Sequence, residues 1–417
     1  LFMKSIRSLA IIMFLLGSSF YLYDFILQVA PGDLTNQLMH DLKIDSAGLG
    51  LVAGLYFFSY MPMQLYAGLL SDRFGPRKLL TVMVFICAIG ALIFSQSNTL
   101  WTVIIGRILM GLGSAFAFTG TLVLVSRWFP AKYFASLTGI LQLMSSLGAI
   151  VASTPLAIYI SHYGWRSAIL YLAIAGFVLA VLMGLIVRDS PTPIVKEKPI
   201  GELGRLKTIC KNSQTWYIGI YAFLLWAPMI IFGELWGIPY LRSYYSISTE
   251  TASIVIDMVW LGNALSCSLT GMLSEYIGRR KGVLNSMSVL GLIVSLGMIA
   301  MPHISFTAMC VLAFLLGCSA SGAILTFAMV NEINEYGNIG AAIGFNNMLV
   351  VAGGALLHPL VGYILHFTWS GTVVNNTPVY SLMEYREALY IIPVLYLVGI
   401  FMTSFKIKES YGMHAKT

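Results

Sequence analysis

Long apolar stretches alternate with short polar segments along the whole chain. Each stretch is close to the roughly 20 residues that a helix needs to cross a hydrocarbon core about 30 Å thick. Their apolar residues are continuous, whereas a lipid-facing barrel strand would alternate and be about half as long. The pattern therefore predicts an all-α integral membrane fold of twelve transmembrane helices in two six-helix bundles. The predicted spans are residues 8–30, 48–70, 79–96, 101–125, 135–160, 167–188, 216–240, 251–273, 282–301, 305–329, 340–366 and 387–406.

Composition agrees with a membrane protein and argues against a soluble one. Of 417 residues, 58% are hydrophobic and 10% are charged, whereas soluble domains carry about 25% charged residues. The net charge of +7 would suit a nucleic-acid binder, but the basic residues form short clusters at the ends of spans. Nineteen of the 24 lysines and arginines fall on one side of the predicted topology, and we interpret this as the positive-inside bias. We therefore predict a multi-pass protein of a bacterial cytoplasmic (inner) membrane, with both termini cytoplasmic and no nucleic-acid partner.

An eleven-residue pattern occurs twice. GLLSDRFGPRK begins at Gly68 and GMLSEYIGRRK begins at Gly271, and each lies between the second and third span of its half. Such a duplication is typical of transporters with pseudo-symmetric halves. It predicts an N-terminal bundle over residues 1–188, a cytoplasmic linker over 189–215 and a C-terminal bundle over 216–417.

The repeated loop resembles the signature loop of the major facilitator superfamily, with Glu275 in the second copy at the place of Asp72. RILMGLGSAFAF, which starts at Arg107, resembles a second motif of that family. The resemblance implies a secondary active transporter that works by alternating access as a monomer, with a cytoplasmic gate at the two loops. We expect Gly68 and Gly271 to permit close helix contact and Gly75 and Gly278 to permit tight turns. The gate residues that the resemblance implies are Gly68, Asp72, Arg73, Gly75, Arg77, Arg127, Gly271, Glu275, Gly278 and Arg279; the arginines could instead serve only as positive-inside anchors.

The fifth span indicates the direction of transport. It contains Gly139, Gly148 and Pro155 but lacks the Gly-Pro pair that is found in the exporter motif of this family. This difference favours uptake over export.

Ionisable residues inside predicted spans are candidates for function, because a charge in the hydrocarbon core is costly. Asp24 and Glu234 lie on the first and seventh spans, which are counterparts across the duplication, so we expect both to face one central site. Arg107 and Asp257 also fall within spans. A structural role is the alternative for each of them, and Asp257 could instead face a vestibule.

Helical spacing extends this set of candidates. Tyr21, Asp24 and Gln28 share one face of the first span, and Asp257 and Trp260 are one turn apart on the eighth. Asn347 and His358 lie on a polar stripe of the eleventh span, although His358 could be a packing residue before Pro359. The aromatic residues of the second span are interpreted mainly as packing or lipid-facing side chains. The predicted substrate-binding and proton-binding residues are Asp24, Arg107, Glu234, Tyr21, Gln28, Asp257, Trp260, Asn347 and His358.

These features predict a proton-coupled symporter that imports a small polar solute, such as an amino acid, a short peptide or an organic acid. The energy source would be the proton gradient, and the partners would be the solute, protons and the lipid bilayer. The alternatives are a proton-coupled exporter of amphiphilic compounds and a non-transporting membrane sensor. The sequence shows no nucleotide-binding loop, no pairing of a nucleophile with a base and no His/Cys metal cluster, so we predict no enzyme activity, no cofactor and no metal.

Overall fold

The computed structural model describes residues 2–130, 133–189, 202–334 and 339–411. Within these ranges twelve helices are long and apolar enough to cross a membrane, which confirms the predicted number of spans. We number them spans 1 to 12: Ser8–Gly32, Ser46–Ala67, Pro76–Ser95, Leu100–Trp128, Leu137–Tyr163, Trp165–Ile186, Ser213–Tyr245, Thr249–Ile277, Arg280–Ala300, Phe306–Ile333, Gly340–Thr368 and Leu382–Lys406.

Several spans consist of two helices separated by a short break. The α-helices are Phe2–Val29, Thr35–Leu42, Ser46–Phe74, Pro76–Ser95, Leu100–Ser114, Ala117–Trp128, Phe134–Val151, Thr154–Tyr163, Trp165–Ile186, Glu202–Lys211, Ser213–Pro228, Gly237–Tyr245, Thr249–Ile277, Arg280–Ala300, Phe306–Ala320, Ala323–Ile333, Ile339–Thr368, Leu382–Leu389 and Ile391–Phe401. A 3₁₀ turn covers Ala30–Gly32, and π-helical segments cover Met229–Trp236 and Met402–Lys406. The strands Val373–Val374 (β1) and Thr377–Pro378 (β2) form an antiparallel hairpin between spans 11 and 12.

Proline positions account for the irregular part of span 7. Pro228 ends the first helix of this span and Pro239 lies at the start of the next. A proline has no N–H and so leaves a carbonyl of the preceding turn without its helical partner. Between the two prolines the helix widens into the π-helical segment Met229–Trp236, whose eight residues are all buried. This segment carries Glu234.

The two halves repeat the same helix packing. Span 1 packs on span 5 and span 3 on span 6 in the first half, as span 7 packs on span 11 and span 9 on span 12 in the second. Spans 2 and 4 pack together, as do spans 8 and 10. The six-helix bundles are therefore pseudo-symmetric, as the duplication predicts.

The halves meet mainly along two seams, spans 2 with 11 and spans 5 with 8, and spans 1 and 7 are also in contact. We call the end of the bundle at which span 1 begins and span 12 ends the termini face, and the opposite end the far face. Contacts between spans 2 and 11 extend from Ser46 at the far face to Gln64, three residues before the termini-face end of span 2. The hydrogen bonds between spans 5 and 8 are made near the far face, by Ser153 and Thr154.

Candidate functional site

Arg107 is held inside the first half by backbone carbonyl groups. Its Nη1 donates to the carbonyl of Leu27 at 2.8 Å, and the guanidinium also contacts the carbonyls of Val52 and Ala53, both at 3.4 Å. Pro31, four residues after Leu27, has no N–H to offer that carbonyl. The sequence of span 1 therefore leaves the Leu27 carbonyl without the N–H donor that a regular helix would supply from position 31, and Arg107 donates to it instead.

No carboxylate within the described residues lies within 4.0 Å of the Arg107 side chain, which is only 1% exposed. Its guanidinium carbon instead lies 4.6 Å from the centre of the Tyr56 ring, a cation–π arrangement. Carbonyl dipoles and one aromatic face thus surround a buried cation that has no direct counter-ion in the described part of the chain.

The Tyr56 hydroxyl donates a hydrogen bond to Asp24 Oδ1. Both side chains are fully buried, so this bond joins spans 1 and 2 next to Arg107. Sequence reasoning grouped Tyr56 with packing and lipid-facing aromatics and missed this contact. Phe58 of the same cluster is 64% exposed and fits the lipid-facing interpretation.

A second acid enters the same region from the other half. Gln28 Nε2 donates to Glu234 Oε1 at 2.8 Å, and His358 Nε2 lies 3.7 Å from Glu234 Oε2. The His358 ring lies next to that of Phe57, with centroids 5.7 Å apart. We call Asp24, Gln28, Tyr56, Arg107, Glu234 and His358 the central cluster.

Two further predicted residues border the central cluster. Trp260 Nε1 donates to the carbonyl of Gly233 at 3.2 Å, beside Glu234, and its ring packs edge-on against Phe25. Tyr21 packs against Phe25 as well. Both aromatic residues therefore support spans 1 and 7 on the side where Asp24 and Glu234 lie.

Asp257 and Asn347 lie outside the central cluster, and their roles in binding stay predictions. Asp257 Oδ2 accepts a 2.5 Å hydrogen bond from Thr154 of span 5. Asn347 Nδ2 donates to Gln64 Oε1 of span 2 at 2.8 Å. Asn347 and His358 are eleven positions apart, which corresponds to about 16 Å along a helix, so two residues on one helix face lie at different depths. Both residues instead link the two halves.

The first signature loop packs within its own half. Gly75 has φ +79°, as expected for a tight turn, and a Cβ on it would lie 2.3 Å from Asp189 Oδ1. Arg77 donates through its backbone N–H to that oxygen and through Nη2 to the carbonyl of Gly184. Arg127 lies in the last turn of the helix Ala117–Trp128. The surroundings of Gly68 and the side chains of Asp72 and Arg73 fall outside what the structure describes, and the gate roles of these residues stay predictions.

In the second signature loop, GMLSEYIGRRK, the buried and paired side chain is not one of the predicted gate residues. Gly278 has φ +68° and makes the expected turn, but a Cβ on Gly271 would meet no atom within 4 Å. Glu275 and Arg279 are exposed. The buried cation here is Arg280, which forms an ion pair with Glu332 at 3.0 Å.

The segment after span 12 completes the network around Arg280. Glu409 Oε1 accepts a hydrogen bond from the Arg280 backbone N–H at 2.8 Å, and Ser410 Oγ donates to Glu332 Oε2. The Arg280 guanidinium also lies over the Tyr411 ring. In the sequence, this network is indicated by the second arginine of GMLSEYIGRRK together with acids near the ends of spans 10 and 12.

The chemistry of the central cluster suits a small polar ligand. It offers one guanidinium, two carboxyl groups, an amide and an imidazole, all from different turns of four spans and from both halves. Among the described residues there is no group of three or more His, Cys, Asp or Glu side chains that could hold a metal ion.

The sequence is similar to bacterial membrane proteins over most of its length. It is 24% identical to the hexuronate transporter of Bacillus subtilis (strain 168), covering 88% of this chain and 90% of the relative. It is 22% identical to the membrane sensor protein UhpC of Escherichia coli (strain K12), with 84% of each chain covered. It is also 22% identical to the probable sulfoacetate transporter SauU of Cupriavidus necator, with 80% of this chain and 82% of the relative covered.

The fold is also similar to solved structures of membrane transporters. The inward-facing, unoccupied structure of a bacterial homologue of the human lysosomal transporter Spinster matches with a TM-score of 0.77, covering 95% of this chain and 96% of that one at 14% identity. The Major Facilitator Superfamily sequence model matches residues 9–238 and 235–415, which together include nearly the whole chain. The chain therefore belongs to the Major Facilitator Superfamily, a family of membrane transporters and not of enzymes.

Proposed function

We propose that this protein is a proton-coupled symporter that imports a small carboxylate-bearing organic anion. The observation that carries the proposal is the buried Arg107 guanidinium, which is placed among carbonyl groups and has no carboxylate partner in the described chain. A planar guanidinium binds a carboxylate through two parallel, charge-assisted hydrogen bonds. An organic anion would supply the counter-ion that the protein itself does not bring into contact.

The two acids of the central cluster give a reason for proton coupling. With Asp24 and Glu234 ionised, they outweigh the single charge of Arg107, and an incoming anion would be repelled. Protonation of these acids removes that repulsion, and buried charges are stable only when they are paired. Solute and protons would then enter together, with Gln28 and His358 positioned on Glu234.

The relatives favour an organic acid over the amino acids and short peptides that the sequence alone also allowed. Two of them are named as transporters of hexuronate and sulfoacetate, and both compounds are small organic anions. The cluster lies between halves whose contacts change in an alternating-access cycle. We further propose a working monomer in a bacterial cytoplasmic membrane with both termini inside, built from bundles over 1–188 and 216–417 and a linker over 189–215.

Uptake by reconstituted protein tests the proposal. Proteoliposomes with an inward proton gradient should accumulate radiolabelled glucuronate or sulfoacetate but not glucose, and a protonophore should abolish the accumulation. Arg107→Lys keeps the charge but loses the two-pronged geometry, so uptake should fall about tenfold or more, in line with the 1.5–3 kcal/mol of a hydrogen bond to a charged group. Arg166→Lys is the matched control, because Arg166 pairs with Asp41 on the surface.

Neutral substitutions of Asp24 and Glu234 test the proton coupling of uptake. Asp24→Asn and Glu234→Gln should remove the stimulation of uptake by the proton gradient. Gradient-independent uptake by the unmodified protein, or normal uptake by Arg107→Lys, would refute the coupling and the anion site respectively.

A non-transporting sensor is the second candidate, because one relative is named as a membrane sensor protein. The same central cluster would then bind the anion without moving it. Saturable binding of glucuronate in detergent, combined with no flux in sealed vesicles over the same concentration range, would favour the sensor.

A further inference from the structure

A second polar cluster joins the halves near the far face, outside the central cluster. Ser253 of span 8 lies 2.8 Å, through Oγ, from Asp33 Oδ1, just beyond the end of span 1. Thr154 of span 5 donates to Asp257 of span 8, and Ser153 donates to the Ser253 carbonyl at 3.0 Å. Each half thus contributes one carboxyl group, and the other half contributes the hydroxyl that contacts it. We call these five residues the far-face seam.

The hydroxyl of Ser253 has two oxygen atoms within hydrogen-bond distance but can donate to only one of them. Its Oγ lies 2.8 Å from Asp33 Oδ1 and also 2.8 Å from the carbonyl of Thr249, but a serine hydroxyl has one proton to donate. If Asp33 is protonated, it donates to Ser253 Oγ and Ser253 donates to Thr249, so both short contacts are hydrogen bonds. If Asp33 is ionised, one contact is a repulsion between two oxygen lone pairs.

The surroundings of Asp33 also disfavour its charge. Its side chain is 3% exposed, and Oδ2 accepts no hydrogen bond from any described group. No basic side chain in the described ranges lies within 4.0 Å of the carboxyl groups of Asp33 or Asp257. A buried carboxylate without a cation or a full set of donors is costly.

Charged groups on the elements packed around Asp33 act mostly in the same direction. They are Asp257 and Glu250 of span 8, Glu234 and Arg242 of span 7, and His162 at the far-face end of span 5. Burial above all raises the pKa of Asp33 well above the usual range, and the charges of Asp257 and Glu250 raise it further, against the lowering effect of the Ser253 hydroxyl. Arg242 carries the one permanent positive charge in this set.

We propose that Asp33 and Asp257 form a proton-binding site of the far-face seam, and that this site must hold a proton for the halves to close there. When the seam opens, both carboxyl groups meet water, and Asp33 releases the proton more readily. The proton is therefore bound and released at one face and regulates the gate. It is separate from the protons that we assign to the central cluster.

The direction of the pH dependence follows from the difference in proton affinity between the closed and the open seam. Asp33 binds its proton more tightly in the closed seam than in the open one, where the ordinary pKa of about 3.9 applies. The closed form is fully favoured below the open-state pKa and loses its advantage as pH rises towards the closed-state pKa. For one proton, the ratio of closed to open protein falls by about tenfold per pH unit within that window.

Distance measurements between the halves test the proposal without any solute. Spin labels at Tyr163→Cys and Met383→Cys, which are exposed far-face positions on opposite halves, would be introduced into a variant whose five native cysteines are replaced. Double electron–electron resonance at pH 5.5 and pH 8.5 should show a short distance at low pH and a longer one at high pH. Asp33→Asn, whose amide can donate to Ser253 permanently, should keep the short distance at both pH values.

Matched variants separate this site from general effects of pH. Asp41→Asn removes another far-face acid, one that pairs with Arg166 inside the first half, and should leave the pH-dependent change intact. Asp257→Asn should weaken the change and serves as the second variant if Asp33→Asn does not fold. Equal distances at both pH values in the unmodified background, or an unchanged pH response in a folded Asp33→Asn protein, would overturn the proposal. Because no solute is present, neither result depends on the proposed transport function.

Discussion

At the scale of single residues, the central cluster depends on a proline that removes a hydrogen-bond donor. Pro31 leaves the Leu27 carbonyl available, and Arg107 uses it at 2.8 Å. The arginine was predictable from sequence because a charge in an apolar span is rare. Its acceptors and the role of Tyr56 were not, since a tyrosine among other aromatics carries no signal of the carboxyl group that it contacts.

Pro31→Ala tests this local explanation. An alanine at this position offers an N–H to the Leu27 carbonyl, which would then compete with Arg107 and let the guanidinium move. We expect anion affinity to fall several-fold, within the 0.5–1.5 kcal/mol of one typical hydrogen bond, while the protein still folds. Isothermal titration with glucuronate measures the effect, and Pro302→Ala in an exposed loop is the control. Equal losses in both variants would point to a general effect of removing a proline.

At the scale of helices, close packing at glycine positions repeats across the halves. A Cβ on Gly111 of span 4 would lie 2.0 Å from the Tyr56 carbonyl oxygen of span 2. A Cβ on Gly317 of span 10 would lie 1.9 Å from the Val259 carbonyl oxygen of span 8. Backbone atoms cannot move aside as a flexible side chain can, so these glycines fix the approach of equivalent helix pairs.

Gly317→Ala should therefore destabilise the protein. Overpacking of this kind costs about 1–3 kcal/mol, and we expect the midpoint of thermal unfolding in detergent to fall by about 2–10 °C. Gly271→Ala is the matched control, because a Cβ there would meet nothing within 4 Å. A variant at Gly271 that is as unstable as the one at Gly317 would contradict this explanation.

The same comparison shows what sequence patterns reveal about helix contacts. Gly271 was expected to permit close packing because it begins the repeated loop, yet the structure puts open space beside it. Gly111 lies in the RILMGLGSAFAF motif, whereas Gly317 lies in no motif that the sequence analysis identified, and the close contact of each depends on which backbone crosses it. Span positions follow from apolar length alone, whereas crossing points depend on tertiary packing.

At the scale of the whole molecule, the sequence predicts twelve spans and a duplication but not which contacts hold the halves together. Asp257 and Asn347 were predicted to bind substrate or protons because they are polar residues inside spans. In the structure they bind Thr154 and Gln64 of the opposite half. Polar residues at a seam and polar residues at a binding site have the same sequence pattern, and only the packing of the halves distinguishes them.

The far-face contacts between spans 2 and 11 predict where a covalent link should stop the transport cycle. His366 Nδ1 lies 2.6 Å from Asp45 Oδ2 across the seam, and Ser46 Oγ donates to the Gly362 carbonyl at 2.9 Å. If solute enters from the far face by separation of the halves, these contacts must break once in every cycle. A protein that is permanently joined there should still bind the anion from the termini face but should not carry it across.

The double variant Asp45→Cys/His366→Cys makes this link reversible. After treatment with a short bifunctional thiosulfonate, glucuronate uptake into proteoliposomes should fall to the level of empty vesicles, and a reducing agent should restore it. Each single cysteine variant, treated in the same way, controls for loss of the ion pair and for modification of native cysteines. Normal uptake by the cross-linked protein would mean that the halves do not separate at this seam. Loss of binding together with uptake would instead show that the link distorts the central cluster, so a binding measurement on the cross-linked protein is part of the same experiment.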